Sequence, residues 1–423
     1  MAALRIELPT IQNWNCHSCS GCCRQHGIEI TEEERQRILN QRWSEEDGIA
    51  SGRPVFVWFA GPPWKKRYRL AHQSDGACVF LDERGLCRIH AKFGEEAKPL
   101  PCRIYPYVFH PAGRKVAVSL RFSCPSVVAN RGDPLGEQKG EIKKIARAVV
   151  PEGAENTPPP RISSTEQIDW PGFLRFVDAL DETLAAPNTP VVTKLLRALF
   201  WIDLVGQSTF HQIRGKRLDD FLEIITHAAA GEVSDELSDV GEPSRAGLMQ
   251  FRMLVAQYAR KDTYSAVERG WRSRWRLLRA GMRFARGTGD VPAMQAAFRE
   301  VPFHALEQPF GGLPADADEL FTRYFRVKLQ GIHFCGPAYY NVPLVEGFQS
   351  LTLIFPAILW LARWLAVSAG RTTLESDDVA RALAMADHHH GYSPAFGARH
   401  FRRRVRILAR LGDLGKLCVH YSR

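Results

Sequence analysis

The sequence predicts an α+β protein: a small cysteine-rich metal-binding domain with short hairpins, followed by a larger, mainly α-helical domain. Three observations predict it. Eight of the ten cysteines fall before residue 125. The same region breaks into short β-type runs separated by Gly and Pro turns. Beyond residue 163, apolar residues recur at helical spacing. A chain of 423 residues has room for two or three domains at roughly 100–200 residues each. The division expected is 1–130 for the cysteine cluster, 131–163 for a linker and 164–423 for the helical domain.

In chain order, the first feature is the run Cys16-His17-Ser18-Cys19-Ser20-Gly21-Cys22-Cys23. Behind it, Thr31-Glu32-Glu33-Glu34 matches a capping box, so a helix is expected from there to about Trp43. Val55–Ala60 and Lys66–His72 read as strands around Gly61-Pro62-Pro63. Cys78–Leu81 and Leu86–His90 flank Asp82-Glu83-Arg84-Gly85, a hairpin that would bring Cys78 to Cys87. A second hairpin, Tyr107–His110 with Lys115–Phe122, is bracketed by Cys102 and Cys124.

The 131–163 stretch holds Pro151 and Pro158-Pro159-Pro160, which break helices. Phe173, Val177, Leu180 and Leu184 then share a helix face, and Val191–Val205 and Leu218–Ala230 continue the helical pattern. Trp271, Trp275, Leu278 and Met282 repeat the spacing as an expected inward stripe, with Arg272, Arg276, Arg279 and Arg283 one residue on. Ser376-Asp377-Asp378 opens a helix expected to end at His388-His389-His390 with Gly391 as its cap. Phe401, Val405, Leu408 and Leu411 line the last strong helix, beside a second arginine stripe.

The formal charge of +10 speaks to partners and solubility. Arg5 and Glu7 interrupt what would be the apolar core of a secretory signal, which predicts a cytoplasmic protein. The longest apolar run, Leu351–Ala362, is interrupted by Pro356 and falls short of the about 20 residues of a membrane helix. It is expected to be a buried helix, and no membrane span is expected.

Thiolates are soft, anionic ligands that favour soft or borderline metals. Two cysteines three apart can turn back onto one ion, and Cys16, Cys19 and Cys22 repeat that spacing twice. The candidate ligands are Cys16, Cys19, Cys22, Cys23, Cys78, Cys87, Cys102 and Cys124. A reducing cytoplasm argues against a disulfide framework, and so dense a cluster argues against eight inert core thiols. Eight thiols can supply two four-ligand sites, or one site with further thiols beside it. Zinc sites usually present two separated Cys-x-x-Cys pairs, whereas the later thiols here are single and dispersed. That favours an iron–sulfur cluster, with zinc as the alternative.

The order Cys16-x2-Cys19-x2-Cys22-Cys23, Cys78-Val79-Phe80-Leu81, Cys87-Arg88-Ile89-His90 and Lys98-Pro99-x2-Cys102-Arg103-x-Tyr105-Pro106 resembles the YkgJ-type cysteine-cluster family over about residues 12–126. That family is a zinc- or iron-chelating domain related to the flagellin lysine N-methylases. The long helical region is similar in layout to those enzymes. The resemblance implies an iron–sulfur cluster, S-adenosylmethionine and methylation of lysines on a flagellin-like protein substrate. Around the four-thiol run the chain reads more like the generic chelating family.

Lys98 and Arg103 flank Cys102 and are candidates to offset thiolate charge or hold a cofactor carboxylate. His17, His26, His72, His90 and His110 are read as supporting or surface residues. His388–His390 are read as a charged helix end that offsets the helix dipole. Cys335–Asn341 is a turn with two tyrosines. The arginine stripes are read as solvated faces. No nucleic-acid-binding module stands beside them, so nucleic acid is not the expected partner. No Gly-x-Gly-x-x-Gly site, P-loop, Gly-x-Ser-x-Gly elbow or His-Glu-x-x-His helix is present.

Overall fold

The computed structural model describes residues 5–260 and 271–423, the side chains of 272–274 excepted. The strands of the first 130 residues are β1 (Arg5–Glu7), β2 (Glu29–Ile30), β3 (Phe56–Ala60), β4 (Arg67–Leu70), β5 (Tyr107–Ala112) and β6 (Lys115–Leu120). Among them lie five short helices, α1 (Gly21–Gln25), α2 (Glu32–Asn40), α3 (Arg88–Phe93), α4 (Leu100–Ile104) and α5 (Pro125–Val128). The strands form two three-stranded sheets, ordered β1-β6-β5 and β2-β4-β3. This is an α+β arrangement, as the sequence predicts.

The α2 capping box forms as expected: Thr31 Oγ1 accepts from Glu34 N at 3.2 Å and Glu34 Oε2 accepts from Thr31 N at 2.9 Å. The β5–β6 hairpin also forms, with Tyr107 opposite Leu120 and Ala112 opposite Lys115. The Cys78–Cys87 hairpin is slighter than expected. It consists of the single bridges His72↔Cys78 and Leu81↔Cys87, and the chain then turns into α3 instead of continuing as a strand. Ile89 alone is buried in α3.

The helical part comprises α6 (Lys139–Val149), α7 (Trp170–Ala185), α8 (Val191–Gln207), α9 (Lys216–Glu232), α10 (Arg245–Tyr258) and α11 (Trp271–Arg286). A minimal pair, β7 (Asp290–Val291) with β8 (Val301–Pro302), precedes α12 (Phe303–Glu307) and α13 (Ala317–Gln330). Then come α14 (Leu344–Thr352), α15 (Ile354–Ser368), α16 (Ser376–His389), α17 (Pro394–Gly397), α18 (Arg399–Arg410) and α19 (Asp413–Ser422). The stretch expected as a linker holds α6, and Leu135, Ile142, Ala146 and Ile162 from it are buried in the main core. Its prolines mark turns between packed pieces.

Two apolar cores result. The smaller gathers Ile30, Ile38, Ile49, Leu70, Phe80 and Ile89 around the β2-β4-β3 sheet. The larger runs through the helices and takes in the β1-β6-β5 sheet through Ile6, Tyr107, Val118 and Leu120. α15 is the axis of the larger core: every residue from Ile354 to Ala366 is buried. The helical stretch Leu344–Ser368 is long and apolar enough to cross a membrane, and 94% of its most apolar 18-residue window is buried inside the fold.

Arg363 sits in that axis with no exposed surface. Its guanidinium donates to the carbonyls of Leu306, Gln308, Tyr421 and Arg423 at 2.9–3.0 Å. Four carbonyl dipoles replace the lost water, and they tie the C-terminal residues to the core.

Two sequence expectations change here. Trp271, Trp275, Leu278 and Met282 are 69%, 55%, 55% and 43% exposed, so their stripe faces outward. The residue that anchors α11 is Phe284, which packs against Phe303, Trp360 and Trp364. Arg272 of the expected arginine stripe lies outside the described side chains. On α18, Arg402 and Arg406 are not simply solvated, because both pair with Glu346, at 2.7 and 2.9 Å.

Candidate metal centre

A cavity of about 850 Å³ opens between the two sheets' regions, and all eight early cysteines line it. The four-thiol run is wound by Ser18 and Ser20, which adopt left-handed φ of 53° and 61°. Left-handed backbone at a non-glycine residue costs roughly 1–2 kcal/mol, and such strain recurs at ligand-clamping turns. Glycine freedom is used elsewhere than at Gly21. Gly85 has φ of 81°, and a Cβ there would stand 2.7 Å from Ser20 Oγ. The Asp82–Cys87 turn can therefore close onto the run, and Ser20 Oγ donates to Gly85 O at 3.4 Å.

Backbone contacts place the later thiols. Cys78 N donates to Cys23 O at 2.8 Å, and Leu81 bridges Cys87. Cys102 lies on α4, whose first N–H, from Leu100, donates to Glu34 Oε1 at 2.7 Å. Glu34 thus caps α2 with one oxygen and α4 with the other. Cys124 immediately precedes α5. Cys16 and Cys19 are exposed, Cys22, Cys23, Cys87 and Cys102 are half-buried, and Cys78 and Cys124 are buried. All ten cysteines are free thiols. Cys335 and Cys418 lie wholly buried in the helical core, away from the cavity.

The electrostatics suit a cation. A hydrogen bond with Cys23, 3.9 Å between sulfurs, and then burial push the Cys22 thiol far up. Burial pushes Cys78 up to about 12 and raises Cys102 and Cys124 as well. Thiolates there need compensating positive charge, which a thiophilic metal supplies. Among the described residues, no three His, Cys, Asp or Glu side chains converge as a ready ligand set. The fit rests on donor chemistry: eight soft donors bordering one cavity match a thiophilic metal or cluster.

Lys98 and Arg103 also line the cavity, but each is held by a neighbour. Lys98 Nζ lies 3.0 Å from Glu95 and Arg103 Nη2 2.5 Å from Glu96. Burial lowers the Lys98 pKa and is outweighed, first by Glu95, so it stays raised. Of the flanking histidines, His17, His26 and His90 border the cavity, whereas His72 and His110 do not.

The helical part supplies a support behind the cavity that the sequence did not reveal. Arg323 of α13 donates to Val127 O at 2.8 Å and Val128 O at 2.6 Å. Asp387 of α16 accepts from Ser123 N at 3.1 Å, and Lys328 donates to Leu120 O at 3.1 Å. Lys328 and Asp387 pair at 2.6 Å with no exposed surface on either side chain. Charged residues from two helices thereby hold the 120–128 segment that carries Cys124. Each is more than 190 residues from its contact, so only their burial inside an amphipathic helix could have marked them beforehand.

The histidines that end α16 belong to the same interior seam. His388 stacks on His26 at 5.0 Å, and His390 Nδ1 lies 2.8 Å from Tyr258 Oη. Burial, with Lys328 nearby, takes His390 down to about 3. It is therefore neutral, which corrects its reading as a charged helix end.

Two comparisons with known proteins find similar sequences over the cysteine-rich region and beyond. A family model named CxxCxxCC, described as "Putative zinc- or iron-chelating domain", covers residues 15–125. The flagellar biosynthetic protein FliU of Salmonella muenchen is 34% identical over 137 residues, 31% of this chain and 80% of that protein. No solved structure matches the chain.

Proposed function

Because this chain belongs to the cysteine-cluster family that includes the flagellar biosynthetic protein FliU, we propose that its thiol cavity holds a metal centre serving lysine methylation of a flagellin-like protein. The centre is an iron–sulfur cluster in preference to zinc, the methyl donor is S-adenosylmethionine, and the setting is the cytoplasm, where thiols stay reduced. The observation that carries the reading is that eight thiols, dispersed over residues 16–124, border one cavity. The proposed ligands come from Cys16, Cys19, Cys22, Cys23, Cys78, Cys87, Cys102 and Cys124. Lys98 stands close enough to Cys22 and Cys102 to favour their thiolates.

The pairing of Lys98 with Glu95 and of Arg103 with Glu96 supports a second reading. With each cation already paired to a glutamate, a cofactor carboxylate would share the cation or exchange with that glutamate. A chelating or redox protein without methyl transfer needs no such exchange.

The decisive measurement is metal and acid-labile sulfide on anaerobically purified protein. Iron with matching sulfide supports the cluster, and zinc without sulfide refutes it. Cys19→Ser and Cys102→Ser should lose the metal while Cys335→Ser keeps it; equal metal in all three rejects the ligand assignment. Calorimetry with S-adenosylmethionine on the loaded protein separates the two readings, since a chelator gives no binding heat.

A further inference from the structure

We propose that α11 is a docking ridge for an anionic membrane surface. Residues 271, 275, 278 and 282 share one face of a helix with 3.6 residues per turn. In this structure that face is outermost. Trp271 is 69% exposed, Trp275 and Leu278 are each 55% exposed, and Met282 is 43% exposed. Phe284, two residues beyond Met282 and so on the opposite side, is fully buried and fastens the helix to the core. Arg252 Nε reinforces the attachment by donating to Phe284 O at 3.2 Å. The apolar stripe therefore faces away from the attachment at Phe284.

The charge pattern identifies the surface. The helix reads WRSRWRLLRAGMRFAR, with six arginines and no acidic residue. Arg279, Arg283 and Arg286 are exposed and follow the stripe along one flank. Most surface helices carry both signs, whereas interfacial helices combine a cationic flank with Trp and Leu that enter the headgroup boundary. A single convex ridge does not form a groove that could take up a partner's helix. A planar sheet of one sign accepts it along its full length, about 24 Å for sixteen residues. The proposal is independent of what the thiol cavity binds.

The test is flotation of the full chain with phosphatidylcholine vesicles, with and without phosphatidylglycerol. Binding should require phosphatidylglycerol and should be lost in high salt. Arg279→Gln with Arg283→Gln should weaken it roughly 25-fold, about fivefold for each charge removed near the surface. Trp275→Ser with Leu278→Ser should weaken it at least about tenfold through lost apolar burial. Both variants must keep wild-type circular dichroism and metal content, which separates a surface defect from misfolding. Equal binding to both vesicle types, no vesicle binding, or unchanged binding by either variant overturns the proposal. A stripe needed only to retain an acidic protein, with vesicles ignored, overturns it in favour of a protein interface.

Discussion

Replacing Lys328 with Met tests how the helical part supports the thiol cavity. The ammonium lies 2.6 Å from Asp387 Oδ1 with neither side chain exposed. The ammonium also donates to Leu120 O and stands 3.3 Å from His333 Nδ1. Burial lowers its pKa, although Asp387 acts in the opposite direction. Lys328→Met leaves the Asp387 carboxylate buried with Ser123 N as its remaining polar contact. Removing one partner of a buried pair costs about 3–5 kcal/mol. Adding Asp387→Leu removes the stranded charge, and replacing a whole buried pair by apolar side chains is often close to neutral. What remains is the orphaned Ser123 N, worth about 1–3 kcal/mol. The double variant should therefore be more stable than the single one. Urea unfolding followed by far-ultraviolet circular dichroism measures both. A single variant within about 1 kcal/mol of wild type, or a double variant less stable than Lys328→Met, refutes the argument.

Two further outcomes follow from the same geometry. Glu34→Ala removes the acceptor of both Thr31 N and Leu100 N, so it should cost about 1–3 kcal/mol. Because α4 carries Cys102, metal content should fall with it, and unchanged loading would show that this cap does not position the thiol. Burial and then Lys328 bring His110 and His390 down to about 3, and His333 is also lowered by burial. Below about pH 6.5 the unfolded chain binds protons at these imidazoles that the folded chain refuses. Stability should therefore fall as pH drops from 6.5 toward 3, by about 1.4 kcal/mol per pH unit for each imidazole. His110→Phe should reduce the slope of that acid limb in pH-dependent urea unfolding, and an unchanged slope would exclude His110 as a contributor.

Local signals in the sequence were reliable where local chemistry decides. Thr31 and Glu34 form their cap because both partners lie within one turn. The β5–β6 hairpin forms around Gly113, which takes the left-handed φ its turn requires. The signals failed where two local rules competed. Pro151 and Pro158 suggested a linker, yet Ile142 and Ala146 lie on one face of a helix and are buried. Around α11 the apolar spacing was right and its direction was not. Periodicity shows that residues share a face, but burial of Phe284 decides which face turns inward.

The sequence by itself determined the donor chemistry. Eight thiols before residue 125, three of them three residues apart, are a dense set of soft donors, in the stretch that the zinc- or iron-chelating family model matches. It also determined the α+β division, because alternating runs and helical spacing are properties of neighbouring residues. Only the tertiary structure decided that all eight thiols border one cavity. It alone showed that Arg323, Lys328 and Asp387 hold the Cys124 segment from nearly 200 to more than 260 residues away. Those contacts depend on packing between distant helices and on charges that interior carbonyls and amides can satisfy. Neither condition leaves a pattern at short range in the chain.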